Sequence, residues 1–376
     1  MKKTIAFVLS ALCLFACMAM PAYAKEQRAF PSAQEFFPRG EPMPWYQVPL
    51  LELDFMGRGI TNGNVFNDSV LVLRKGELVY ERYARGWDKD TPHQMFSVTK
   101  SVLSALVGIA IQDKKLKGVG QKVIEFYPGA KIAPGQESKR DMTIEHLLTQ
   151  SSGLPGDSDN ESNAVIWWEA GDSGRAAFEF PQVAAPGERF SYSSGPGMQT
   201  LAGLLTRAVG ENLFEYAKRK LFGPLGMASV RWDAAADGVN YGGFGLSMTP
   251  RDMLRFGYLY LNKGSWNGKQ ILPEWYVAAS APPSPRNEEY GYLFWNYSKR
   301  SPEDGSFEAS GSFGQFICIL PEEDTVMVRT GSAGPATRTV CGAMLQSKLV
   351  ETLFMGIVYP LVPLKGVPLK YFMEAL

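Results

Sequence analysis

The chain has 376 residues, 45% of them hydrophobic and 20% charged, the composition of an ordinary globular protein. Lys plus Arg equals Asp plus Glu at 38 each, so net charge gives no reason to expect nucleic acid or an anionic membrane surface as a partner. The length exceeds what one small core needs and predicts one large domain or two interleaved lobes.

Residues 1–24 read as a signal peptide. Lys2 and Lys3 precede an apolar run over 5–20, and Ala22, Tyr23 and Ala24 form an A-x-A cleavage site. The expectation is an exported chain, periplasmic or secreted. Leu14, Phe15, Ala16 and Cys17 offer a looser alternative, a lipoprotein anchored through Cys17, which Phe15 fits poorly. No later stretch is long and apolar enough to span a bilayer. Cleavage leaves Cys318 and Cys341. Export permits a disulfide between them, but two cysteines do not make a scaffold, and the favoured expectation is two small buried side chains.

Residues 25–64 carry several prolines and little periodicity, the pattern of an irregular surface segment. Residues 69–86 read as two strands around a Lys75-Gly76 turn. From Ser97 a helix follows whose Val98, Val102, Leu103, Leu106, Val107, Ile109, Ala110 and Ile111 cover nearly its whole circumference, which predicts burial on most faces. Residues 142–156 hold a short helix opened by Thr143, with Glu145 in its first turn, and then a loop. Asp157, Asp159 and Glu161 look faintly like a calcium loop but lack its glycine and distal glutamate, and read as a solvated acidic loop. Residues 198–226 are two helices split near Gly210. Thr249 caps another helix, with Pro250 at its first position. Residues 312–331 read as two strands around a Pro321-Glu322-Glu323-Asp324 turn, and a long helix starts near Arg338. Strands at both ends and helices between them predict an α/β (α+β) fold. Its central sheet is mainly antiparallel, built from both termini (about 65–92 and 286–376) and flanked by helices, with a helical lobe inserted over about 93–285.

The chemistry narrows by elimination. No G-x-S-x-G occurs, so the nucleophile elbow of Ser-His-Asp hydrolases is absent. His93 and His146 are the only histidines and read as structural. Two histidines and two distant cysteines do not make a zinc site, and neither a metal nor an organic cofactor is expected. Ser97 and Lys100, at i and i+3, share a helix face. The first turn leaves backbone N–H groups unpaired, and that of Ser97 can point at an oxyanion on its own acyl group. Burial beside a positive helix end disfavours an ammonium in general, and a neutral lysine accepts a serine proton. Tyr192, in the Ser/Gly loop "ERFSYSSGPG", is a candidate proton shuttle. In "ASGSFGQFI", a glycine-spaced approach to a strand, Gly311 lets backbone come close to substrate and Ser312 is the candidate second oxyanion donor.

Taken together, these segments resemble the serine β-lactamase and penicillin-recognising superfamily, in its class C-like branch. The landmarks are "FSVTKS", "MTIEHLLTQSSGLPG", "FSYSSG", "LFGPLGM", "GGFGLSMTPRDMLRFG", "NGKQILP" and "GSFGQFICILPEEDTVMVRTG", in that order along nearly the whole chain after the leader. The resemblance implies a β-lactamase/transpeptidase-like fold, with Ser97 as acylated nucleophile, Lys100 as its partner and Tyr192 as general base and acid. Two departures matter. The Asn of Tyr-x-Asn is Ser194, which keeps a hydrogen bond to Lys100 or substrate but loses the amide's reach. Aligned by its glycines, the third motif reads Ala309-Ser310-Gly311-Ser312, without the Lys or His that would hold a substrate carboxylate. That argues against a true β-lactamase or a D-Ala-D-Ala peptidase. The pattern is more similar to 6-aminohexanoate-oligomer hydrolases and related esterases. Trp167 and Trp168, between the first two motifs, either cap a substrate cleft or belong to the core. The expected activity is hydrolysis of a small ester or amide through an acyl-enzyme on Ser97; the rival from another class is a non-catalytic binding protein on the same fold. Oligomeric state stays open.

Overall fold

The computed structural model describes residues 67–83, 86–159, 172–176, 178, 180–296 and 305–331. Strands β1 (Asn67–Arg74) and β2 (Glu77–Tyr83) form a hairpin that turns at Lys75 and Gly76, both at positive φ. Their sheet is completed from the other end of the chain. β1 pairs antiparallel with the last described strand, from Asn67 opposite Gly331 to Arg74 opposite Thr325. Between the two ends lie β3 (His93–Gln94), β4 (Arg231–Trp232) and β5 (Leu246–Met248), which form a small sheet of their own, and the two-residue strands β6 (Ser265–Trp266) and β7 (Lys269–Gln270). Strands β8 (Trp295–Asn296), β9 (Phe307–Gly311), β10 (Gln315–Leu320) and β11 (Thr325–Gly331) finish the main sheet, whose order is β2-β1-β11-β10-β9-β8. All of its pairings are antiparallel.

The sheet is a core element because it is covered: every residue of β10 and β11 is buried. Helix α1 (Val98–Gln112) packs against β9 and β10, and residues 98–110 are buried without exception, as its apolar circumference predicts. Its Val102, Leu103, Leu106 and Val107 are fully enclosed, each contributing about 1.5–3 kcal/mol by leaving water. Helix α2 (Ile144–Leu148) is shorter than the apolar pattern around it. Thr143 closes a capping box in which its Oγ1 accepts the His146 N–H and His146 Nδ1 accepts the Thr143 N–H. His146 is thereby a capping partner. Helix α3 (Ser173–Ala176) packs on α4 (Pro196–Val209), which ends at Gly210 with φ 75°. Asn212 then caps α5 (Leu213–Ala217). Thr249 and Asp252 form the capping box of α6 (Pro250–Leu261), which lies on β1, β10 and β11. Helix α7 (Glu274–Ser280) is the last α-helix among the described residues.

Three expectations need correction. The segment "ASGSFGQFI" is not the approach to one strand. It is the end of β9, a turn over Ser312–Gly314 and the start of β10, because Phe313 and Gly314 both adopt left-handed backbone, at φ 61° and 87°. The acidic loop is not merely solvated. Asp159 accepts from Ser191 Oγ, Gly156 N and Arg189, and these bonds, the Ser191 hydroxyl foremost, hold its carboxyl down to about 2. Cys318 is disulfide-bonded rather than a free small side chain. Cys341, Glu161, Trp167, Trp168, the leader with Cys17, residues 25–64 and the helix expected near Arg338 lie outside the described residues.

Candidate active site

The chain enters α1 through a tight corner. Met95 is buried, Phe96 is held at φ 47°, and Ser97 is the N-cap at φ −70° and ψ −9°. A serine here ordinarily caps the helix with its hydroxyl, but Ser97 makes no such bond. The turn closes instead through its backbone: the N–H groups of Val98, Thr99 and Lys100 donate to the carbonyls of Met95, Phe96 and Ser97. This leaves Ser97 Oγ to accept from Lys100 Nζ at 2.8 Å, and its N–H has no acceptor among the described residues.

Lys100 is 1% exposed. A buried amine must find hydrogen-bond partners, and the other two acceptors come from distant parts of the chain: Ser194 Oγ at 3.0 Å and the Gly243 carbonyl at 3.1 Å. Gly243 has no room for a side chain. A Cβ there would lie 2.1 Å from the Ser194 carbonyl oxygen, so the two segments that supply Lys100 are in direct contact. Ser194 is held in turn by Asp157, whose Oδ1 accepts the Ser194 N–H at 2.6 Å and Oδ2 the Ser194 hydroxyl at 2.7 Å. The Asp157 N–H donates to the Tyr192 carbonyl at 2.7 Å.

Tyr192 presents its ring to this cluster, with Lys100 Nζ 4.6 Å from the ring centroid. Its hydroxyl forms no hydrogen bond with the described residues. The ring stacks on Trp295 at 5.6 Å and 24°, and meets Tyr290 edge-on at 6.1 Å. Gly311 lies against the Ser97 backbone: a Cβ on it would sit 2.3 Å from the Met95 carbonyl oxygen and 3.3 Å from Ser97 N. Ser312 follows, exposed at the head of the turn. Gln315 Nε2 donates to the Ser312 and Gly331 carbonyls, and Arg329 donates to the Gly314 carbonyl, so side chains from β10 and β11 fix that turn. Phe313 is 43% exposed and packs on Phe96 with ring centroids 5.0 Å apart. Ala309 is fully buried within β9 and brings no charge.

The structure therefore gathers Ser97, Lys100, Tyr192 and Ser194, and lays Gly311 against the Ser97 backbone. Sequence reasoning missed Gly243, Asp157, Tyr290 and Trp295. The paired glycines of "GGFG" were the available signal for Gly243; Asp157 gave none beyond an acidic loop. Among the described residues no group of three or more His, Cys, Asp or Glu side chains could hold a metal ion, and no helix is long and apolar enough to cross a membrane.

A serine with a buried lysine at hydrogen-bond distance, mounted where a helix meets an antiparallel sheet, defines a Ser-x-x-Lys protein of the β-lactamase/transpeptidase fold. The Beta-lactamase family model matches residues 54–340, and the chain belongs to that family. It is 26% identical over 295 residues to a 6-aminohexanoate-dimer hydrolase of Paenarthrobacter ureafaciens, covering 72% of this chain and 74% of the relative. Among solved structures, the octameric penicillin-binding protein homologue of Pyrococcus abyssi superposes with a TM-score of 0.61 at 21% identity, over 82% of this chain and 78% of that one. The simvastatin synthase of Aspergillus terreus does so with a TM-score of 0.63 at 17% identity, over 80% and 96%.

Proposed function

We propose that this protein is an exported serine hydrolase that cleaves an ester or amide through an acyl-enzyme on Ser97. The observation that carries the reading is the 2.8 Å hydrogen bond between Ser97 Oγ and the buried Lys100. In acylation the Ser97 proton passes to the Lys100–Tyr192 pair as Oγ bonds to the carbonyl carbon. The N–H groups of Ser97 and Ser312 hold the oxyanion. The pair returns the proton to the leaving alcohol or amine as its bond to carbon breaks. Water then attacks the acyl carbon, giving a proton to the same pair. Ser97 recovers its hydroxyl as the acid departs. Tyr192 takes part through Lys100, whose Nζ lies 4.6 Å from its ring centroid.

The leader over residues 1–24 supports export, and the 6-aminohexanoate-dimer hydrolase among the relatives supports hydrolysis. Ala309, in place of a cation, supports a substrate whose binding needs no carboxylate. The aromatic pair Phe96 and Phe313 beside Ser97 and the pair Tyr192 and Trp295 near Lys100 support an acyl or leaving group with apolar area.

Intact mass after treatment with a fluorophosphonate tests the reading. The wild type takes a single adduct and Ser97→Ala takes none, and the wild type hydrolyses p-nitrophenyl butyrate faster than nitrocefin. Full esterase activity in purified Ser97→Ala would sink the proposal, and efficient nitrocefin turnover would move it to a β-lactamase.

A further inference from the structure

We propose that Asp157 is a positioning residue for this reaction, which turns the Ser194 hydroxyl so that Lys100 meets an acceptor and not a donor. The inference rests on the hydrolase reading above. A hydroxyl has one proton and two acceptor positions. Ser194 Oγ stands between Lys100 Nζ at 3.0 Å and Asp157 Oδ2 at 2.7 Å. An ionised carboxylate accepts only, so the Ser194 proton belongs to Asp157 and an oxygen lone pair faces the lysine.

That direction matters for the chemistry. To take the Ser97 proton, Lys100 Nζ must turn a lone pair toward Ser97 Oγ, 2.8 Å away. A Ser194 hydroxyl free to rotate would offer its own proton to that lone pair and compete with Ser97. Asp157 removes the competitor. Its grip extends to the segment that carries Tyr192, because Oδ1 takes the Ser194 N–H and the Asp157 N–H donates to the Tyr192 carbonyl. The tie joins residues 37 apart in sequence.

The test is a double-mutant cycle on p-nitrophenyl ester hydrolysis and fluorophosphonate labelling. Asp157→Asn keeps the shape, but one amide N–H must now face Ser194 Oγ and drive its proton toward Lys100. Expected are a fall of about tenfold or more in kcat and in labelling rate, the scale of losing one charge-assisted hydrogen bond, with KM within about twofold of wild type. In a Ser194→Ala background the same Asp157→Asn change has no further effect, because the hydroxyl it acts through is gone. Asp157→Glu, still acceptor-only, keeps more of the rate than Asp157→Asn, and carries the test if the latter fails to fold. Wild-type rates in Asp157→Asn, or an equal loss in the Ser194→Ala background, overturn the inference and leave the hydrolase reading standing. A wild type that neither labels on Ser97 nor turns over ester overturns the hydrolase reading, and this inference with it.

Discussion

Lys100 shows how a few atoms define the site. A buried lysine is costly unless each N–H finds a partner, and here three partners are present: one from its own helix turn and two from elsewhere in the chain. Gly243 is the least forgiving of these. It needs no unusual backbone; what matters is the missing side chain. In Gly243→Ala the new methyl would meet the Ser194 carbonyl oxygen at 2.1 Å, a backbone atom that cannot rotate aside. Either the Gly243 carbonyl or Ser194 must shift away from Lys100. A displacement of about 1 Å at such a site costs on the order of a hundredfold in rate, so steady-state kinetics on Gly243→Ala are expected to show that loss in kcat. The Ser97 and Lys100 pairing was legible because residues three apart along a helix are neighbours on its surface. Gly243 was not, since 143 residues separate it from Lys100 and no local pattern encodes that distance.

Helix α1 holds Lys100 and has Ser97 as its N-cap, so its rigidity is the rigidity of that pair. Its apolar circumference announced the burial, and the fully enclosed Leu106 lies on the same helix less than two turns beyond Lys100. Leu106→Ala is expected to cost about 2–5 kcal/mol by opening a cavity that the close-packed surroundings fill only in part, read by urea or thermal unfolding. The β9–β10 turn behaves differently. Its glycines were visible as spacing, but the sequence pattern suggested a single strand. Two consecutive left-handed residues, Phe313 and Gly314, are needed to fold it back, and a phenylalanine gives no compositional signal for that conformation. Arg329 and Gln315, reaching across from β11 and β10, hold what local preference would not.

Across the molecule, the two ends of the described chain are joined at His93. Its Nε2 lies 3.3 Å from Thr330 Oγ1, which contacts Ser69 Oγ at 2.6 Å, and its ring stacks on Trp87 at 3.8 Å. Asp68, 4.0 Å from Nδ1, is the charged group facing it. Loss of solvent pushes the imidazole from an ordinary 6.5 down to about 4, with Asp68 acting in the opposite sense. Between those values the unfolded chain binds a proton that the folded chain excludes. The stability this supplies is complete above about pH 6.5 and is lost as pH falls from there toward about 4. The melting temperature should therefore drop from pH 7 to pH 4.5, and His93→Gln should flatten that slope. An unchanged slope in His93→Gln would show that other groups govern acid unfolding.

Features confined to one or two turns of chain were readable in the residues alone: the Ser-x-x-Lys face, the burial of α1, the Thr249-Pro250 start of α6, the Gly210 break. Each depends on a fixed geometric period or on a conformational preference of a single residue. That strands near both termini build one mainly antiparallel sheet followed from where the strand and helix patterns lie along the chain. What the folded molecule added are contacts between segments 37, 94 and 143 residues apart, around Ser194 and Lys100. Those distances are set by how the sheet closes and how loops return to it, and the hydrogen-bond direction at Ser194 exists only once Asp157 has been brought there.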